Sequence, residues 1–111
     1  RSCDPLLRAS DAGRAIFVTS GIAAAAVPYW GPYAVSKAAL EMMVKVYARE
    51  TEKTAVRANL LDPSAVATRM RAQAFPGQDP AKLATPDEVA GAFLPLALPS
   101  FRKTGTVVRA Y

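Results

Sequence analysis

The chain has 111 residues, 51% of them hydrophobic, with 14 Lys and Arg against 9 Asp and Glu, no His and one Cys. That size and apolar content exclude a disordered chain and describe one domain or part of one, while a lone Cys3 excludes an internal disulfide and, without His, a His/Cys metal site. The net charge of +5 comes from basic residues spread along the chain, which speaks against nucleic acid as a partner, and no apolar run reaches the roughly 18 residues of a bilayer span.

The opening Arg1-Ser2-Cys3-Asp4-Pro5 has no apolar leader core, so a cytoplasmic location is expected. It starts mid-pattern and without Met, which fits a piece of a longer chain. Pro5 to Ser10 reads as the end of a helix, stopped by Asp11-Ala12-Gly13. Arg14 to Ser20 is a short unalternating apolar run that suits a parallel strand buried on both faces. Gly21 to Pro32 reads as a loop. From Tyr33 the pattern turns helical, with Val35, Ala39, Met42, Met43, Val46 and Tyr47 at three-to-four spacing as far as about Glu52. Val56 to Leu61 reads as a second strand, ended by Asp62-Pro63. Ser64 to Thr85 lacks periodicity and reads as a mobile segment holding one short helix. Thr85-Pro86-Asp87-Glu88 is a capping-box helix start, and that helix is expected to run to about Leu98 with a kink or early end at Pro95. Thr106 to Ala110, after Gly105, reads as a last strand. The alternation of strand and helix predicts an α/β domain built on a parallel sheet with right-handed crossovers.

Three of these residues suit one chemistry. Tyr33 and Lys37 stand four apart at a helix start, so their side chains share a face. A phenol with an ordinary pKa of about 10 is a poor acid or base at neutral pH, and an ammonium beside it favours the phenolate. A hydroxyl at the neighbouring strand end, Ser20, would hold a substrate oxygen beside that phenol. Taken alone, such a pair is mostly two surface side chains; Ser20 and the surrounding pattern give it meaning.

The set Ser20, Tyr33-Ala-Val-Ser-Lys37, Ala38-Ala39-Leu40 and Asn59-Leu-Leu-Asp-Pro63-Ser64-Ala-Val-Ala-Thr68 resembles the active-site half of the short-chain dehydrogenase/reductase family. The resemblance implies that residues 1–111 are the C-terminal part of a Rossmann-like, doubly wound parallel sheet, keeping about three of its strands with their helices. It implies an oxidoreductase using NAD or NADP on a small carbonyl or alcohol. Ser20 would polarise the substrate, Tyr33 would be the acid/base, and Lys37 would bind the nicotinamide ribose and tune Tyr33. Pro63, Ser64 and Thr68 would lie against the cofactor, with Ser64 standing where the family usually has Gly. If that turn needs positive φ, Ser is costly there. Asn59 is read as tying the strand end to a neighbouring segment rather than as catalytic.

The Gly-rich dinucleotide fingerprint is absent from the 111 residues, as is the residue that separates NAD from NADP. Tyr29 and Trp30 would line the substrate pocket or pack under the helix. Arg69 and Arg71 would meet an anionic group or simply be solvated. By the same resemblance the helix from Ala34 to Glu52 would build a homo-oligomer. The alternative reading is a truncated, inactive structural or oligomerising module, whose first strand would expose an unpaired edge.

Overall fold

Three apolar segments pair into a sheet in the computed structural model, which describes residues 2–111. Strands β1 (Arg14–Val18), β2 (Arg57–Asp62) and β3 (Val107–Arg109) are parallel and lie side by side in that order. The register sets Arg14 against Arg57 and Val18 against Leu61, then Leu60 against Val107. Between two neighbours, β2 is buried from Ala58 to Asp62, as an unalternating run in a parallel sheet should be. β1 departs from the two-faced burial expected of it: its residues are half-buried and Val18 is exposed, because only one strand pairs with it among the described residues.

Helix α1 (Asp4–Ala9) is fastened by Asp4, which pairs with Arg8 at 3.0 Å and accepts from the Tyr47 hydroxyl at 2.7 Å. Helix α2 (Gly31–Glu50) begins two residues before Tyr33, because Gly31 and Pro32 fit the first turn, where Pro lacks only an N–H that has no partner in the helix. Val44 and Ala48 of α2 pack on Ala58 and Leu60 of β2, with Phe17, Leu40 and Tyr47 around them. The apolar positions read from the sequence divide between two faces, with Tyr47 turned to the core. Val35, Met42, Met43 and Val46 are exposed, and the sheet takes the smaller stripe one step round the helix. Both stripes are apolar, so periodicity could not choose between them.

The segment after β2 holds α3 (Arg69–Ala74), a 3₁₀ turn at Pro80–Lys82 and an isolated parallel bridge from Val66 to Ala84. The helix expected from Thr85 to Leu98 is divided into α4 (Pro86–Ala90), a 3₁₀ turn at Gly91–Phe93 and α5 (Leu94–Ala97). Pro95 is the reason, since it falls in the first turn of α5, where its missing N–H costs least. No helix among the described residues is long and apolar enough to cross a membrane.

Two arginines close one end of the sheet. Arg14 donates to the carbonyls of Leu98, Pro99 and Ala55, and Arg57 donates to those of Arg102 and Thr54. Gly105, at φ 71, then turns the chain into β3; its N–H donates to Ala58 O at 2.7 Å, and a Cβ there would stand 3.3 Å from that of Ala48. Buried Asn59 completes the seam, donating to Lys103 O at 2.8 Å and accepting from the N–H and hydroxyl of Thr106. The other end of the sheet, where β1 and β2 finish, carries a cleft.

Candidate active site

The cleft has a volume of ≈ 860 Å³ and lies beyond the C-terminal ends of β1 and β2, where open parallel sheets place their ligands. Its wall is mostly apolar, with contributions from Ile22, Val66, Val89 and Phe93. Of the residues singled out in the sequence, Ser20, Trp30, Tyr33, Lys37, Pro63, Ser64 and Thr68 all line it. Tyr29 does not; it is fully exposed, at φ 70.

Each side chain is placed by its element. Ser20 follows β1 and caps the 3₁₀ turn Gly21–Ala23, accepting a long hydrogen bond from Ile22 N at 3.4 Å. Its hydroxyl proton therefore remains available. Tyr33 and Lys37 sit in the first two turns of α2, the Lys37 nitrogen 5.8 Å from the centre of the Tyr33 ring. That ammonium donates to Val18 O at 3.0 Å, which pins it across the end of β1. Tyr33 lines the cleft, and its hydroxyl has no hydrogen-bond partner among the described residues.

On the β2 side the chain turns sharply. Ser64 takes φ 62, the left-handed conformation that favours Gly, and its N–H donates to Asp62 Oδ1 at 2.9 Å. Asp62 is itself buried and was not singled out in the sequence. An Asp two residues before the turn residue is the one signal that pointed to it. The Thr68 hydroxyl accepts from Arg71 N at 3.1 Å and so caps α3.

An aromatic ladder crosses the cleft. The Trp30 ring meets Tyr33 edge to face at 5.9 Å and 74°, and stacks on Phe75 at 5.5 Å and 9°. Arg71 lies over the other side of the ladder, its guanidinium carbon 3.8 Å from the centre of the Phe75 ring. Phe75 carried no signal in the sequence, because it lies within an unperiodic segment and meets Trp30 only through the fold.

The family model for short chain dehydrogenase matches residues 1–79. The chain belongs to the short-chain dehydrogenase family. Within it, the oxidoreductase YciK of Escherichia coli K12, itself described as uncharacterized, is 43% identical over 102 residues, covering 91% of this chain and 40% of its own. A short chain dehydrogenase of Salmonella enterica serovar Typhi superposes with a TM-score of 0.91 at 42% identity, covering 96% of this chain and 44% of that one. One from Escherichia coli CFT073, complexed with NADPH, superposes at 0.89 with 42% identity over the same shares. The chain thus spans less than half the length of these relatives. The three parallel strands and their helices are those of a short-chain dehydrogenase.

Proposed function

We propose that the intact protein is an NADP(H)-dependent oxidoreductase that interconverts a carbonyl and an alcohol on a small molecule. The observation that carries this reading is the meeting of Ser20, Tyr33 and Lys37 in one apolar cleft at the end of the sheet, in a chain of this family. The relative solved with NADPH supports NADP(H) over NAD(H). The residues present fit such a group: the left-handed turn at Ser64 and the fixed ammonium of Lys37 bring polar groups into an otherwise apolar wall. Tyr33, Lys37, Pro63, Ser64 and Thr68 would hold it, and bound there it supplies or accepts a hydride at the substrate carbon.

The chain's own residues do the oxygen chemistry. The Ser20 hydroxyl donates to the carbonyl oxygen and fixes it beside the phenol. Tyr33 gives its proton to that oxygen as the alcohol forms, and takes it back in the oxidative direction. Lys37, one turn along α2, offsets the negative charge that the departing proton leaves on Tyr33. The apolar wall keeps water from competing for the same proton. An oligomer fits the same reading, since Val35, Met42, Met43 and Val46 form an exposed apolar stripe on α2 that a second copy would cover.

The test is Tyr33→Phe in the intact protein, assayed with NADPH against a panel of aldehydes and ketones. Removing one acid/base group should lower kcat by roughly 10²- to 10⁴-fold with circular dichroism unchanged. Near-normal turnover in a folded variant would overturn the assignment.

A further inference from the structure

We propose that Arg71 is the specificity-determining residue of the cleft and selects carbonyl substrates whose far end carries a carboxylate. This deepens the oxidoreductase reading and rests on it. Arg71 stands between the large cleft and an adjoining recess of ≈ 270 Å³, and lines both. Its guanidinium is held on two sides. One face stacks on Phe75 at 3.8 Å, and Nε donates to Gln78 Oε1 at 2.7 Å. Those contacts leave the outer edge, Nη1 and Nη2, which matches the two oxygens of a carboxylate. Neither nitrogen has a hydrogen-bond or ion-pair partner among the described residues.

The surroundings favour an anion. No Asp or Glu of the described residues lines the cleft or the recess; the charges are Lys37 and Arg71 in the cleft and Arg69 and Arg71 in the recess, so Arg71 is the one that faces both. Lys37 is engaged by Val18 O beside the catalytic phenol, which leaves Arg71 as the cation with free donors. In a mostly apolar wall an unpaired cation is costly and its pairing with an anion is stronger than in water. The ladder from Tyr33 through Trp30 and Phe75 to Arg71 gives the molecule its outline: a carbonyl at the phenol, an apolar body along the rings, an anionic end at the guanidinium.

The experiment compares kcat/KM in the intact protein for a medium-chain ω-oxo carboxylate and for the n-alkanal of equal length, with NADPH. The native protein should favour the carboxylate by roughly 10- to 100-fold, as one charge-assisted pair would give. Arg71→Gln should abolish that preference, with the loss falling on KM for the carboxylate. Lys53→Gln, which removes the same charge from an exposed position outside both the cleft and the recess, should keep it. Equal kcat/KM for the two substrates in the native protein would overturn the inference while leaving the oxidoreductase reading intact. So would a raised KM for NADPH in Arg71→Gln with the preference kept, which would assign the guanidinium to a cofactor phosphate. A second readout needs no turnover. Trp30, the one Trp in the chain, stacks on the ring that carries Arg71, so its fluorescence should respond to sebacate and not to decanediol. A sebacate response lost in Arg71→Gln, in a protein that turns over no carbonyl, would support the anion site and sink the oxidoreductase reading. Equal responses to sebacate and decanediol would sink the anion site.

Discussion

Ser64 holds a conformation that an L-residue adopts at a cost, φ 62, in the turn that leads from β2 into the cleft. A left-handed residue costs about 1–2 kcal/mol, part of which the Asp62 carboxylate offsets by accepting the Ser64 N–H at 2.9 Å. Ser64→Gly removes that strain but enlarges the freedom of the unfolded chain, so the net gain should be about 0.5–1 kcal/mol. Tm should rise by a few degrees, at about 2–4 °C per kcal/mol for a protein of the relatives' length, in a thermal melt of the intact protein. A fall in Tm would mean that the Ser64 hydroxyl contributes more than its backbone loses. Asn59 shows the opposite economy. Its amide is buried and saturated by Lys103 and Thr106, so its role is to join β2 to the segment entering β3.

Among the elements, α4 depends most visibly on one titrating group. The Glu88 carboxylate accepts from Thr85 N at 2.7 Å and from the Thr85 hydroxyl at 3.0 Å, while that hydroxyl caps Glu88 N. The backbone N–H first, and the hydroxyl second, hold the Glu88 carboxyl below its ordinary value of 4.5. A depressed carboxyl contributes stability that is complete above its unfolded value and is lost as pH falls through the folded one. Tm should therefore drop below about pH 4.5, and Glu88→Gln, which keeps a capping side chain without titrating, should flatten part of that drop. Parallel Tm curves for the two proteins from pH 7 to pH 3 would refute this. That helix start was legible in the sequence because Thr85, Pro86 and Glu88 act locally, and Pro95 marked the break for the same reason. The parallel order of strands was legible too, as was the meeting of Ser20, Tyr33 and Lys37 beside one cleft. The buried stripe of α2 was not, since Val44 with Ala48 and Met42 with Val46 offer two apolar faces and only the sheet decides. Nor was the stack of Trp30 on Phe75, whose partners are separated by α2, β2 and α3 and share no local pattern.

At the scale of the whole molecule, one side of this chain is finished and another is not. The N-terminal end of the sheet is tied down by Arg14 and Arg57, and β2 is covered on both faces and both edges. Among the described residues β1 has one paired edge, and its apolar residues are half-buried or, at Val18, exposed, a strand shaped for a further neighbour. The cleft opens at the end of that same strand, lined by Ser20, Tyr33 and Lys37, with no Gly-rich turn among the 111 residues to receive a cofactor diphosphate. The relatives that share 42–43% identity with it are more than twice as long. These 111 residues expressed alone should thus show no saturable quenching of Trp30 on titration with NADPH, in a preparation whose circular dichroism confirms a folded chain. Their apparent mass should rise with concentration as β1 edges pair. The intact protein should saturate and transfer energy from Trp30 to the nicotinamide. Saturable binding by the 111 residues would place the diphosphate on groups that they do contain. The uncommitted guanidinium of Arg71 would be the first of these to test, because a phosphate competes for the edge that a substrate carboxylate would use.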